Sequence, residues 1–341
     1  MKTYNNLFDK IVDVDNIKRA IAKAAIGKRD KRVVEYALNH LDEVANVISN
    51  KLKNNTWRPL KVHSGKEVTD GKRRIVVCPS FLNEQVVHHA VMAICFPIFV
   101  KKFYAYTCGN IKGRGTFYAK KYIEKKVQKA KYCCKLDIKK FFLNIRPSWV
   151  FKEIRKTIRD KRVLMLFARI LRSNVVCVDG KILKQGVPIG FYTSPFFANV
   201  MLSSMDHKIK EKFGAKVYVR YMDDILLLDT NKRKLKKICE FIESERQTYH
   251  LKLKHLPQVH KFKMIDFIGF KFYKEKTILR RRIFLAAIRC FKKFKPNIFY
   301  ARKVISYAGY FKNVNCGKVF QKLMPNLRLC KTIISRREKH V

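Results

Sequence analysis

The chain has 341 residues, 48% of them apolar, which suits a globular protein with a sizeable core and excludes a disordered or fibrous chain. Its 76 Lys and Arg against 26 Asp and Glu leave a formal net charge of +50, so a large polyanion, nucleic acid or an anionic membrane, is the expected companion. No apolar run approaches the roughly 18 residues of a spanning helix, and residues 1–6 lack the apolar core of a signal peptide, so a cytoplasmic protein with no membrane partner is expected.

Residues 9–55 read as largely helical. Ile11, Val14, Ile17 and Ile21, then Val34, Ala37, Leu38, Leu41, Ala45, Ile48 and Leu52, recur at three- and four-residue spacing. Residues 60–71 fit no pattern. Arg73 to Cys78 reads as a strand stopped by Pro79, and a helix follows from Leu82 to about Phe96. Tyr132 to Asp137 is a short apolar strand ending in an acid. The strongest hairpin signal is Val217–Tyr221, a Met222-Asp223-Asp224 turn and Ile225–Asp229. Helical patterning resumes over Leu235–Tyr249, a strand pair surrounds Phe267-Ile268-Gly269-Phe270, and the stretch from Lys274 onward reads as basic and mainly helical. Ten cysteines lie scattered without a Cys-x-x-Cys, which favours reduced thiols over zinc knuckles.

In so basic a chain, acids at strand ends are informative. Asp137 ends one strand, while Asp223 and Asp224 tip a hairpin. Brought together they would form a hard-oxygen site suited to two Mg²⁺ ions, of the kind that serves in-line phosphoryl transfer. An ordinary solvated Asp-Asp turn is the alternative for the hairpin taken alone.

Tyr221-Met222-Asp223-Asp224 resembles the Tyr-x-Asp-Asp signature of reverse transcriptases, and the family's other motifs follow in order along nearly the whole chain. The resemblance implies an α+β right-hand polymerase: a helical N-terminal segment over 1–60, fingers over 61–131, an antiparallel palm over 132–273 and a short helical thumb over 274–341. It implies catalysis by Asp137, Asp223 and Asp224, metal binding by these and the carbonyl of Ile138, and two Mg²⁺, with Mn²⁺ a possible substitute. Lys72 and Arg74 resemble triphosphate-gripping cations, a role that suits a guanidinium fork. Phe142, five residues after Asp137, resembles the ring that excludes a 2′-hydroxyl.

Gly186-Val187-Pro188-Ile189-Gly190, continuing to Ser194-Pro195, resembles the template and nucleotide loop, with Ile189 and Gly190 at the nucleotide. Ile189 stands where glutamine is usual, and an aliphatic chain cannot make an amide's polar contacts. Phe267, Ile268, Gly269 and Phe270 resemble the primer grip, and Lys254 is matched loosely to a lysine that assists pyrophosphate departure.

Tyr4–Ile11, Asn83–Ala90 and Lys112–Thr116 look most like diversity-generating retroelement enzymes of bacteria and phages. Ser194-Pro195 departs from that group and leaves room for defence-associated enzymes; the additional retron segments are not found. The implied partners are a structured noncoding RNA template, a DNA primer or product, dNTPs and an accessory protein. The alternative is a noncatalytic RNA-binding or maturase-like protein on the same fold. His88-His89 reads as a packing pair rather than a metal site.

Overall fold

The computed structural model describes residues 2–69, 73–184, 186–312, 314 and 324–339. The helical N-terminal stretch resolves into α1 (Phe8–Val12), α2 (Val14–Ala25), α3 (Arg32–Asn39) and α4 (Leu41–Lys53). In α2 the side chain of Asp13 accepts the Asn16 amide as N-cap, and Ile17, Ala20, Ile21 and Ala24 form the buried stripe.

Next come β1 (His63–Thr69), β2 (Arg73–Val77), a π-helical turn at Phe81–Gln85, α5 (Val86–Val100), β3 (Thr107–Cys108), α6 (Thr116–Val127) and β4 (Tyr132–Asp137). The middle of the chain adds α7 (Phe141–Asn144), α8 (Pro147–Arg155), α9 (Lys161–Arg172), β5 (Val175–Val178), β6 (Lys181–Lys184) and α10 (Ser194–His207). The hairpin β7 (Val217–Tyr221) and β8 (Asp224–Asp229), α11 (Lys232–Thr248) and β9 (His260–Lys261) follow. The chain then runs through β10 (Ile265–Phe267), β11 (Phe270–Phe272), β12 (Thr277–Leu279), α12 (Arg281–Lys292), α13 (Ile298–Lys312) and α14 (Leu327–Lys339).

Three sheets result. The first has the order β2-β1-β5-β6 and recruits β1, which shows no strand pattern of its own, between an antiparallel and a parallel neighbour. The second, β10-β11-β12, places a strand at Thr277–Leu279, inside the stretch whose sequence pattern reads as mainly helical. Pairing with β11 outweighs the local pattern there.

The third, β3-β7-β8-β4-β9, is sandwiched. Cys134, Leu136, Tyr218, Ile225 and Leu227 join the core shared with α10 and α11. Cys133, Val219, Leu226 and Leu228 join the core shared with α6, β10–β12, α12 and α13. Burial on both faces explains the unbroken apolar run Ile225–Leu228.

A buried charge network ties this sheet to α10. Arg220 and Asp206 are fully buried, with Arg220 Nη2 donating to Asp206 Oδ2 at 2.6 Å and Nε to Oδ1 at 2.8 Å. Tyr218 Oη and Thr107 Oγ1 donate to the same carboxylate. The remaining Arg220 nitrogen donates to Asn199 Oδ1 at 3.0 Å and to the Met222 carbonyl at 3.1 Å. Removing one partner leaves the other charge buried and alone. Asp206→Ala is therefore expected to destabilise the protein by about 3–5 kcal/mol, measured by urea denaturation; a loss below about 1 kcal/mol, the typical cost of a point substitution, would refute the network's structural role.

Candidate active site

β4 and β8 run antiparallel with Asp137 opposite Asp224, and the Ile138 amide donates to the Asp223 carbonyl at 3.1 Å. That bond marks the close type of antiparallel pair, in which Cα atoms approach to about 4.5 Å. Strand alternation places both carboxylates on the face that also carries Cys133, Leu226 and Leu228. Tyr221 pairs with Asp224, so Met222 and Asp223 form a two-residue loop. On the other edge, Lys139 donates to the Lys252 carbonyl and Lys254 to the Asp137 carbonyl, flanking an Ile138–Leu253 bridge. This pattern turns the carbonyl of Ile138 away from Leu253 and toward Asp223.

Burial pushes Asp224 up to about 6, with the charges of Asp223 and Asp137 adding to the effect and Lys135 and Arg280 opposing it. The three acids thus lie near enough to repel one another. Yet among the described residues no three His, Cys, Asp or Glu side chains converge as a ready metal-ligand group. The donors present, carboxylates and a main-chain carbonyl, are of the hard-oxygen type that Mg²⁺ takes.

The loop at Gly186–Gly190 joins two further segments to this centre. The Val187 amide donates to the Phe142 carbonyl at 2.8 Å, and the Val77 amide at the end of β2 donates to the Ile189 carbonyl at 2.7 Å. A Cβ at Gly186 would lie 2.5–2.7 Å from the carbonyl oxygens of Phe142, Leu143 and Ile145. One at Gly190, where φ is +113°, would lie 2.1 Å from the Val77 oxygen. Glycine is required at both positions because main chain meets main chain. Phe142 is half-buried against the first core, whereas Arg74, three residues before Val77, is exposed and has no ion pair among the described residues. Lys72 lies outside the described residues.

The hairpin turn at Ile268-Gly269 has positive φ at both residues, +47° and +89°, with Phe267 paired to Phe270. Both phenylalanine rings are fully buried in the second core, so the hairpin presents its turn and main chain rather than those rings. Lys254 is exposed and adjoins Asp137 through its amide.

Several contacts go beyond the sequence reading, which names His88 and His89 as a packing pair and gives no role to Arg280, Lys135 or Glu84. Arg280 makes a bidentate pair with Asp266, and Lys135 donates to the Asp266 carbonyl at 2.8 Å, fastening the β10–β11 hairpin beside Asp224. Glu84, fully buried, binds His63 at 2.6 Å and accepts the amides of Ser80 and Leu60. His88 is wholly buried against Phe191 with neither ring nitrogen bonded, and His89 stacks on Tyr192 at 3.6 Å. The signal for Arg220 and Lys135 was a single charge inside an otherwise apolar strand.

The chain matches the family model described as reverse transcriptase (RNA-dependent DNA polymerase) over residues 65–272. The chain belongs to the reverse transcriptase family. It is 33% identical over 134 residues to the retron Ec73 reverse transcriptase of Escherichia coli, covering 32% of this chain and 40% of that protein. To the retron Ec86 reverse transcriptase of the same species it is 26% identical over 117 residues, covering 34% and 33%. Fewer than half of the residues of these curated relatives are matched, and both are retron enzymes. Telomerase from Candida albicans, solved with a fragment of telomeric RNA, shares the fold with a TM-score of 0.51 at 12% identity, over 84% of this chain and 56% of that one. Among the described residues, no helix of the chain is long and apolar enough to cross a membrane.

A folded-state value near 6 for Asp224, above the ordinary 3.8, means the carboxyl favours folding fully below pH 4 and loses that contribution as pH rises through 6. His88 and His89, held down to about 4 chiefly by burial, act oppositely and weaken the fold as pH falls below 6.5. The difference in melting temperature between Asp224→Asn and wild type, in a metal chelator, isolates the first effect: the variant should gain on wild type from pH 5 to 7. A pH-independent difference would show that Asp224 titrates normally.

Proposed function

We propose that the chain is an RNA-directed DNA polymerase that copies an associated structured RNA into DNA by two-metal nucleotidyl transfer. The observation that carries this reading is the close pairing of Asp137 with Asp224, beside Asp223, on one face of the central sheet. In this reading that sheet, apart from its edge strand β3 at Thr107–Cys108, is the palm, within 132–273; the β1–β2 region is the fingers, within 61–131; residues 1–60 are the helical N-terminal segment and 274–341 the thumb.

Asp137, Asp223 and Asp224, with the Ile138 carbonyl, would hold two Mg²⁺, and Mn²⁺ has the same ligand preference. When bound, the ions would stabilise the charge on the attacking and leaving oxygens. The chain's own residues do the rest. Arg74 and Lys72 hold the triphosphate, and Phe142 closes the space a 2′-hydroxyl needs. Ile189 and Gly190 form the wall against the nucleotide, whereas Lys254 attends the leaving pyrophosphate. The turn Ile268-Gly269, backed by Phe267 and Phe270, supports the primer end. The α12–α13 groove, which includes Arg289, Lys293 and Lys303, suits the phosphates of the product duplex.

The relatives' retron origin and the motif blend together support a bacterial or phage retroelement, of the diversity-generating, retron or defence-associated kind.

Purified protein given a primed RNA template, dNTPs and Mg²⁺ should extend the primer. Asp223→Ala with Asp224→Ala should abolish extension and leave RNA binding within a few-fold, as read by gel extension and filter binding. Extension by that variant would end the assignment, and failure of the wild type on every template would favour a noncatalytic RNA-binding role. Phe142→Ala should raise ribonucleotide incorporation relative to deoxyribonucleotide about tenfold or more, scored by single-nucleotide addition; an unchanged ratio would remove Phe142 from that role.

A further inference from the structure

Two adjoining concavities, of about 280 and 360 Å³, lie along α8, the start of α9 and the N-terminal segment, and share Arg159. Six cationic side chains line them against two carboxylates. Of the two acids, Asp160 is consumed internally: it accepts the amides of Leu7, Phe8, Arg162 and Val163. Asp9 faces Arg162 at 3.5 Å. Lys152, Arg155 and Arg159 are exposed and have no carboxylate partner among the described residues. Lys152 sits over the Trp149 ring.

The groove is built rather than incidental. The chain at Tyr4 docks beside it as a bridge to Ile158, with Tyr4 N donating to the Thr157 carbonyl and Arg159 N to the Tyr4 carbonyl, both at 2.9 Å. Lys156 is anchored to Glu153, whose other oxygen accepts from Ser204 of α10. The groove's position also separates it from the aspartates. Val150 and Ile154 of α8 pack inward on the core containing α10, which covers the face of the central sheet opposite Asp137 and Asp224.

Resting on the polymerase reading above, we infer that this groove binds the phosphate backbone of RNA, holding a non-templating stem of the associated RNA while another part is copied on the far side of the sheet. Unpaired cations in a concave, rigid wall of a strongly basic protein match the regular phosphates of an A-form stem, which proteins recognise mainly by backbone and shape. An acidic protein segment is the competing occupant.

The test uses the full chain and the variant Lys152→Gln/Arg155→Gln/Arg159→Gln. The probe is an RNA hairpin with a stem of about 16 base pairs. Its affinity is measured against salt by anisotropy, with the cleft filled by excess short primer–template duplex. The variant should bind the hairpin about tenfold or more weaker, with a log–log salt slope shallower by about 2–3, and extend the short duplex at the wild-type rate. Wild-type affinity and slope in the variant would overturn the inference and leave an acidic protein as the groove's partner. An equal loss of short-duplex extension would also overturn it, since the residues would then act through the fold or the cleft. Whether wild-type protein extends the short duplex at all reports on the polymerase reading separately.

Discussion

The geometry of the site depends on one strained turn and the buried charge that holds it. Met222 takes φ +55°, the left-handed region that favours glycine, between the end of β7 and Asp223. It keeps that conformation because it is held from three sides. Arg220 donates to its carbonyl, its amide donates to the Cys108 carbonyl, and Asn110 reaches its sulfur. Gly109 leaves the room this requires, since a Cβ there would lie 2.9 Å from Met222 Cγ. Strain persists only where the surroundings over-determine it, and Arg220, itself saturated by Asp206, Asn199 and Met222, is the buried charge among those restraints.

From that anchor the rest of the site is assembled by main-chain contacts. Register across β4 and β8 sets Asp137 against Asp224. The Gly186–Gly190 loop, bonded at one end to Phe142 and at the other to β2, sets the distance between the carboxylate sheet and the arginine-bearing strand. Because both contacts run between main-chain atoms, they do not depend on the Ile189 side chain. On the other flank, the Asp266–Arg280 pair and Lys135 fix the β10–β11 hairpin. Their positive charges also temper the repulsion among the acids.

The excess of positive charge separates into distinct surfaces. Arg74 projects from the exposed part of β2, and Arg289, Lys293 and Lys303 line the α12–α13 groove. Lys152, Arg155 and Arg159 face outward behind α10. A single long polyanion touching several of these would explain why the chain tolerates self-repulsion of this size.

How much of this was legible beforehand follows from the range of each interaction. The hairpin at Val217–Asp229, the strand Tyr132–Asp137 and the amphipathic N-terminal helices were readable because their signals, alternation, turn chemistry and 3.6-residue periodicity, are local. The three aspartates stood out for the same reason, as scarce acids at strand ends. By contrast, β1 and β12 owe their conformation to strands that pair with them, and the Arg220–Asp206 pair joins residues on different elements. The sequence by itself therefore determined the chemistry on offer, its carboxylates, its excess cations and the family motifs. Only the tertiary structure decided which face the carboxylates share, what holds their turn and which cations are left unpaired, because those depend on contacts between segments that no local pattern encodes.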